Sequence, residues 1–288
     1  MNLGAYELIL LTIKFRILNR GKIMINIWNG KPPDYKANLD KDANKDKPEL
    51  EAFTINDGDK HSCFLILPGG GYNHLSNHEG ANVAKELNKV GISAFVLYYR
   101  VAPYHHPSML WDTKRAIRYI RHNADKYNID VDKIGIMGFS AGGHLSGLTT
   151  IYANEFDYNH IDEVDKNSAN VNALCMCYPV VSTINEDIFH LRSTENLTGD
   201  NKELRSKLSL EHNIPNNMPP TFVWHTFEDK SVDCRNSLYF AEAMKKSEKS
   251  IEFHLFPEGK HGLDMAKGIR GTEQWFLLFI NWLKRNGF

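Results

Sequence analysis

A serine with glycines on both sides stands between two apolar runs of this 288-residue chain. The strand-like run 134–137 leads into residues 138–143, which read GFSAGG, and the helix-like run 144–152 follows them. A strand that turns sharply into a helix has no room for a Cβ atom two positions before or after the turn residue, so glycines are needed there. The pattern predicts a nucleophile elbow that exposes the hydroxyl of Ser140 at the end of a sheet, above a helix N-terminus. A glycine-rich turn with a surface serine is the alternative.

Strand-like and helix-like runs alternate along the rest of the chain. This alternation predicts an α/β fold in which parallel βα units build one central, mostly parallel sheet flanked by helices. We expect strands at 51–55, 62–67, 93–101, 133–137, 173–181, 221–225 and 251–256. We expect helices at 80–90, 109–127, directly after Ser140, at 232–246 and at 273–285. In helix 109–127 the basic residues are expected on the solvated face, and these are Lys114, Arg115, Arg118 and Arg121.

Two long polar stretches, 153–170 and 182–218, follow the predicted nucleophile helix and the next strand. In open α/β sheets the ligand binds at the carboxyl ends of the strands, so both stretches are expected to face it. Neither has the apolar periodicity of a large helical lid. We therefore expect no large cap domain and a shallow, partly open acyl pocket.

The composition limits the classes of protein to which this chain can belong. With 42% hydrophobic and 24% charged residues, it can bury the core of one large α/β domain or two small ones, which excludes disordered and fibrous classes. A formal net charge of -1, with the cations spread along the chain, predicts neither a nucleic-acid partner nor a membrane partner. A small-molecule substrate is the expectation that remains.

The first two dozen residues differ from the rest of the chain. The apolar run 8–13 has no basic residue before it, no cleavage site after it and too few residues to span a bilayer. We expect residues 1–24 to be an N-terminal extension, either poorly ordered or preceding a true start at Met24. Residues 25–288 are then expected to form a single catalytic domain.

Four cysteines lie in or beside apolar runs and lack the spacing of a zinc site; they are Cys63, Cys175, Cys177 and Cys234. We expect buried thiols in a reducing compartment, which favours a cytoplasmic location, and we predict no metal site. Cys175 and Cys177 should share one face of a strand.

A serine hydroxyl needs a base within hydrogen-bonding reach and a third group that orients the base. Asp229 follows one predicted strand, and His261 lies on a glycine-bracketed loop after the next. We therefore expect Ser140 to be the nucleophile, His261 the base and Asp229 the orienting acid. Glu228, whose side chain should diverge from the site, and Asp233, expected in the first turn of a helix, are the alternatives to Asp229.

Three other histidines are expected to serve structure. His254 should point across the sheet from within a strand, and His144, one helical turn after Ser140, should help to pack the elbow helix. A structural role is also favoured for His225. With His261 as the base, activity is expected to decline below about pH 6.5.

Three glycines, 69–71, directly follow an apolar run and Pro68. Successive glycines let main-chain N–H groups turn toward one point, as an oxyanion hole requires. We expect the oxyanion to be stabilised by the N–H groups of Gly70, Gly71 and Ala141. A phosphate-binding loop is the alternative, but no G-K-[ST] sequence follows the glycines.

Five motifs in order give the chain a family resemblance, and they read PGGGY at 68–72, YYRVAP at 98–103, GFSAGGH at 138–144, NSL at 236–238 and GKHG at 259–262. From about residue 25 to its end, the chain resembles the α/β-hydrolase superfamily. More narrowly, it is similar to the lid-poor acetyl esterase, xylan esterase and feruloyl-esterase-like branch, which is related to the hormone-sensitive lipase group. The latter group has histidine where this chain has Pro68, and carries a large N-terminal cap, so long-chain lipase activity is not expected.

The resemblance implies a serine carboxylesterase that hydrolyses short acyl esters, with O-acetyl groups on carbohydrates as one candidate, through an acyl-enzyme and without a cofactor. A prolyl-oligopeptidase-like peptidase is one alternative, although such enzymes usually carry tyrosine at the position of Ala141 and need a propeller domain. A non-catalytic binding protein with a hydrolase fold is the other, although such proteins typically lose a member of the triad. A homodimer is compatible with these features, which do not define the oligomeric state.

Overall fold

The computed structural model describes residues 23–36 and 46–288. Within these residues eight strands form one sheet: β1 (Met24–Asn26), β2 (Glu49–Phe53), β3 (His61–Leu67), β4 (Ser93–Tyr98), β5 (Ile129–Phe139), β6 (Ala173–Cys177), β7 (Thr221–Thr226) and β8 (Ile251–Phe256). The α-helices of the same residues are α1 (Ala81–Lys89), α2 (Ser108–His122), α3 (Ala141–Ile151), α4 (Leu191–Thr198), α5 (Lys202–Leu208), α6 (Arg235–Lys246) and α7 (Trp275–Arg285).

The sheet is mostly parallel, as predicted. Its strand order is β1-β2-β4-β3-β5-β6-β7-β8, and the pairs from β4 to β8 are all parallel. β1 and β2 pair antiparallel at one edge. Because β5, β7 and β8 run in the same direction, the loops that follow them emerge at the same edge of the sheet. The residues expected to carry the chemistry follow these three strands.

Helices cover both faces of the sheet and bury two hydrophobic clusters. Along β3, Leu65 and Leu67 belong to the cluster under α2, α3 and α6, whereas Phe64 and Ile66 belong to the cluster under α1 and α7. All four side chains are fully buried. This explains why the central strands are continuous apolar runs rather than alternating ones.

The predicted elements all occur, and most differences lie at their ends. The strand 251–256 has the predicted bounds, whereas β5 extends four residues before and two after the predicted 133–137. The helix predicted from residue 232 begins at Arg235, because Asp229 Oδ1 accepts the N–H groups of Ser231 and Val232 and holds this segment in a turn. Asp233 therefore precedes the helix rather than lying in its first turn, and it accepts the N–H of Arg235 at 2.9 Å.

The prediction of a solvated basic face on α2 was wrong for three of its four cations, whereas Arg121 is half-buried. Lys114, Arg115 and Arg118 are buried. Arg115 contacts carboxylates of both Asp162 and Asp165 at 2.7 Å, and the guanidinium of Arg118 pairs with Asp157. The acidic residues belong to the segment between α3 and β6, which lies over this helix. A helical pattern reports which face is polar, but not which distant segment covers it.

The same finding corrects the expected position of the stretch 153–170. It follows the C-terminus of α3, so it starts at the edge of the sheet opposite the elbow and packs on α2. The stretch 182–218 does reach the predicted site, and it includes the two short helices α4 and α5 rather than one large lid.

Residues 1–22 and 37–45 lie outside the described part of the chain, and so does most of the predicted N-terminal extension. The described segment begins at Ile23, directly before β1. Within the described residues, no helix is long and apolar enough to cross a membrane. The four cysteines are buried and free, and Cys175 and Cys177 lie on one face of β6 with their Sγ atoms 3.9 Å apart, as predicted.

Candidate active site

The turn between β5 and α3 has the strained geometry expected of an elbow. Ser140 has φ 54° and ψ -119°, and its carbonyl accepts the N–H of His144 at 3.0 Å in the first turn of α3. A Cβ atom on Gly138 would lie 2.0 Å from the carbonyl oxygen of Gly142, and one on Gly142 would lie 2.2 Å from that of Leu67. The glycines are therefore a steric requirement of this turn, as predicted.

A continuous chain of hydrogen bonds links the three residues proposed to carry the chemistry. Ser140 Oγ lies 2.8 Å from His261 Nε2, and His261 Nδ1 lies 2.6 Å from Asp229 Oδ2. A carboxylate only accepts, so Nδ1 carries a proton and Nε2 of the neutral ring is free to accept one from the serine. The structure thus brings the predicted serine, base and acid together in the required order.

Asp229 is held as an anion by its hydrogen bonds. Burial by itself opposes its ionisation, but donors from His225 and His261 outweigh that cost and hold the pKa of Asp229 well below its usual value. Its second oxygen, Oδ1, accepts the main-chain N–H groups of Ser231 and Val232 at 2.9 and 3.0 Å. All four donors fix the rotation of the carboxylate.

The alternative acid Glu228 supports the histidine loop instead of contacting His261. Its Oε2 accepts the N–H of Gly259 at 3.0 Å, and the hydroxyl of Thr226 donates to the carbonyl oxygen of the same glycine at 2.7 Å. Gly259 has φ 130°, a conformation that other residues rarely adopt. Two neighbours of Asp229 thus anchor the loop that presents His261.

The glycine loop after β3 presents free donors beside the serine. Gly70 and Gly71 have φ values of 124° and 63°, and a Cβ on Gly69 would lie 3.0 Å from that of Ser140. Within residues 23–36 and 46–288, no acceptor is hydrogen-bonded to the N–H groups of Gly70, Gly71 or Ala141. Ala141 opens α3, where the first N–H groups have no partner within the helix.

A buried carboxylate that the sequence reasoning missed holds this loop in place. Glu79 Oε2 accepts the N–H of Gly69 at 2.9 Å, and its Oε1 accepts the hydroxyl of Tyr178 at 2.7 Å. The Tyr178 oxygen in turn accepts the N–H of Asp264, and its ring lies edge-on to that of His261, with the centroids 5.1 Å apart. Glu79 thus connects the glycine loop to the histidine loop.

Tyr72 fastens the other end of the glycine loop to the elbow helix. Its hydroxyl donates to His144 Nδ1 at 2.8 Å, while His144 Nε2 donates to the carbonyl oxygen of Leu208 at 2.9 Å. Burial lowers the pKa of His144 to about 4 and keeps the ring neutral. The structural role expected for His144 is confirmed, and its partners show that it also reaches the segment after α5.

Helix α4 forms one wall of a cleft of about 420 Å³ above Ser140. Asn196 donates to the carbonyl oxygen of Gly71 at 2.8 Å, and His190 caps the helix by accepting the N–H of Ser193. Burial, together with the nearby His261 and Arg192, lowers the pKa of His190. Within the described residues, the cleft is lined by polar side chains and glycines alone.

Sequence comparison relates the chain to known proteins. Residues 54–244 match the BD-FAE family. The endo-1,4-beta-xylanase B of Butyrivibrio fibrisolvens is 37% identical over 84% of this chain and 38% of its own length. The acetylxylan esterase of Xylanibacter ruminicola is 30% identical over 76% of this chain and 44% of its own length. The chain therefore spans about two fifths of the length of these curated relatives.

Structural comparison agrees with this relationship. An acetyl ester-xyloside bifunctional hydrolase from Caldicellulosiruptor lactoaceticus superposes with a TM-score of 0.85 at 39% identity, over 93% of this chain and 97% of the other. These similarities agree with the mostly parallel sheet, the helices on both of its faces and the strained serine turn of the described residues. The chain belongs to the BD-FAE family of the α/β-hydrolase superfamily.

Proposed function

We propose that this protein is a serine carboxylesterase that hydrolyses short-chain acyl esters, with O-acetyl groups on carbohydrates as the substrate class. The observation that carries the proposal is the hydrogen-bonded chain from Ser140 Oγ through His261 to Asp229, which opens on a cleft beside unpaired N–H donors. Residues 25–288 supply all of these groups, and we propose that they act as one catalytic domain.

In the proposed reaction, Ser140 Oγ attacks the ester carbonyl while His261 Nε2 takes the hydroxyl proton. The carbonyl oxygen becomes an oxyanion that accepts hydrogen bonds from the N–H groups of Gly70, Gly71 and Ala141. The imidazolium then returns the proton to the alcohol oxygen as the C–O bond breaks, which leaves an acyl-enzyme. Water activated by the same histidine hydrolyses the acyl-enzyme and regenerates the serine.

Two observations support the substrate class. The cleft lining offers hydrogen-bonding groups for a polyhydroxylated alcohol and no apolar side chain, within the described residues, for a long acyl chain. Two related proteins are named for acetyl esters, an acetylxylan esterase and an acetyl ester-xyloside bifunctional hydrolase. The cytoplasmic location and the homodimer stay predictions.

The test of the mechanism is the substitution Ser140→Ala, assayed with p-nitrophenyl acetate and with a fluorophosphonate probe. We expect turnover to fall by at least about 10⁴-fold and labelling to disappear, because the variant lacks the proposed nucleophile of the acyl-enzyme. Ser146→Ala is the matched control, since Ser146 lies on the same helix and its hydroxyl donates to the carbonyl oxygen of Gly143. Unchanged turnover in Ser140→Ala would refute the proposal.

The substrate class needs a second experiment on the wild-type protein. We expect acetylated xylose to be hydrolysed faster than feruloyl esters, and p-nitrophenyl esters to lose kcat/KM steadily as the acyl chain grows beyond a few carbons. A preference for long acyl chains would contradict the short-acyl assignment while leaving the proposed mechanism intact.

A further inference from the structure

A second histidine contacts the carboxylate of Asp229 from the side away from the cleft. His225, in β7, is fully buried, and its Nε2 lies 3.2 Å from Asp229 Oδ2 and 3.0 Å from the carbonyl oxygen of Val232. Because an ionised carboxylate and a carbonyl can only accept, Nε2 must carry the proton, which the two acceptors share. Asp229 Oδ2 therefore receives donors from two imidazoles, since His261 Nδ1 lies 2.6 Å from the same oxygen.

The other ring nitrogen of His225 has a partner that determines the tautomer. His225 Nδ1 lies 2.8 Å from Ser237 Oγ, at the start of α6, and Ser237 is fully buried. Within residues 23–36 and 46–288, the Ser237 hydroxyl has no other acceptor. A hydroxyl that donates to Nδ1 leaves the proton on Nε2, where Asp229 accepts it.

We propose that His225, held in its Nε2–H tautomer by Ser237, is a positioning residue of the ester-hydrolysing site. It acts through Asp229, whose Oδ2 it shares with His261, and it touches neither the serine nor the cleft. Its hydrogen bond fixes the rotation of the carboxylate and withdraws part of the negative charge of Oδ2 from the catalytic imidazole. The inference rests on the proposed function, because it assigns a role within that triad.

Other titratable groups face this pair of imidazoles, and they remain when His225 is replaced. His190 and Arg192 of the α4 segment line the same cleft as His261, and Asp233 and Cys234 lie near His225 and Asp229 before α6. Tyr178 packs edge-on against the ring of His261, and Glu79 accepts the hydroxyl of Tyr178. Because these six groups are unchanged, a shift in the pH profile of a His225 variant reports the lost donor.

The test compares His225→Leu, which removes the donor, with His225→Gln, whose amide can return an N–H near the position of Nε2. The readout is the pH dependence of kcat and KM for p-nitrophenyl acetate. For His225→Leu we expect kcat to fall about 10-fold or more with little change in KM. The acid limb of the kcat profile, where activity declines as the pH falls, should also move to higher pH by about half a unit or more. The reason is that Oδ2, having lost one donor, carries more negative charge and stabilises the imidazolium of His261. His225→Gln should recover at least half of both changes.

Two further variants control the interpretation. Ser237→Ala removes only the group that determines the tautomer, so the acid limb should move in the same direction by a smaller amount. His254→Leu is the matched control, because His254 lies on the neighbouring β8, is bonded to Glu252, and has no contact with the triad. Its acid limb should superpose on that of the wild type. If His225→Leu does not fold, His225→Gln and Ser237→Ala still carry the test.

The outcomes separate this inference from the proposed function. A wild-type protein that neither turns over the ester nor reacts with a fluorophosphonate would refute the proposed function. If the wild type is active and His225→Leu has the same kcat and the same acid limb, the role of His225 is overturned while the proposed function stands. Equal losses in the Leu and Gln variants without a shift of the acid limb would also overturn it, since packing alone would then explain them.

Discussion

The edge around Ser140 and the basic face of α2 are both buried polar clusters, but their polar groups find different partners. On α2, Arg115 and Arg118 each pair with carboxylates of the segment between α3 and β6, so the charges are matched inside the protein. At the edge, the serine hydroxyl and the N–H groups of Gly70 and Gly71 face a cleft of about 420 Å³.

The difference shows that burial and shifted pKa values do not by themselves identify an active site. Burial lowers the pKa of Lys114 to about 8 on α2, and hydrogen bonds lower that of Asp229 at the edge around Ser140 despite its burial. What distinguishes the edge is that its donors remain unpaired toward the cleft, where a substrate can accept from them. Substitutions at the edge should therefore change turnover, whereas substitutions on α2 should change stability.

The largest effect is expected for Asp229→Asn. The amide keeps the shape of the side chain but can present an N–H to His261, which favours the wrong tautomer of the base. We expect kcat to fall by about 10⁴-fold while the fold is retained. Steady-state kinetics and thermal unfolding of the same preparation check both parts. A loss below about tenfold would move the orienting role away from Asp229.

Arg115→Met tests the basic face of α2. Removing the guanidinium leaves Asp162 and Asp165 without their cation, and the free energy of unfolding should fall by about 3–5 kcal/mol. The kcat of the protein that remains folded should be unchanged. Lys166→Met is the matched control, because the ion pair of Lys166 with Glu163 is exposed and its loss should have no measurable effect. Urea unfolding measures the difference. If Arg115→Met is as stable as the wild type, the charges on α2 do not stabilise the fold as proposed.

His144 is buried beside the edge without a charged partner. Its contribution to the free energy of unfolding should therefore depend on pH. Its pKa is lowered from 6.5 to about 4 in the folded protein. Between these values the unfolded chain binds the proton and the folded protein does not, so the free energy of unfolding falls as the pH falls. At pH 4.5 the folded protein is less stable by about 2–3 kcal/mol than at neutral pH on account of this histidine.

His144→Gln should remove that part of the pH dependence. Urea unfolding at pH 7.5 and 4.5 gives the difference for each protein, and the variant should lose less stability between the two pH values than the wild type. Equal losses in the two proteins would mean that the folded protein protonates His144 readily, contrary to its burial between Tyr72 and Leu208.

The smallest effect is expected for Asn196→Ala, which releases the glycine loop from α4. The lost hydrogen bond to the carbonyl oxygen of Gly71 is worth about 1 kcal/mol, so kcat should fall by a few fold. Asn201→Ala is the control, because Asn201 caps α5 and makes no contact with the glycine loop. If Asn196→Ala changes stability but not kcat, Asn196 stabilises the fold and does not affect turnover.

The sequence predicted the elbow well because its requirement is local. Gly138 and Gly142 are needed for a steric reason that acts within five residues, and the strand before them is a continuous apolar run. Asp229 and His261 were also predictable, since each follows a strand and parallel strands bring their carboxyl ends together. The structure places both within hydrogen-bonding reach of the expected neighbours.

The supporting groups could not be predicted in the same way. Glu79 holds the glycine loop through a residue 10 positions away and bonds to Tyr178, which is 99 positions away. His225 is only four positions from Asp229, whose Oδ2 it shares with His261. Even there, the sequence carries no sign of which ring nitrogen meets the carboxylate. The only signal in the sequence was a histidine at the end of a predicted strand, four residues before the predicted acid.

By itself, the sequence determined the order of strands and helices, the strained serine turn and the candidates for base and acid, because these follow from local sterics and from the apolar pattern. Only the tertiary structure decided which polar face is covered, which carboxylate holds the glycine loop and which donors stay free in the cleft. The physical reason is that burial and hydrogen-bond satisfaction depend on segments distant in the chain, whose packing no local pattern specifies.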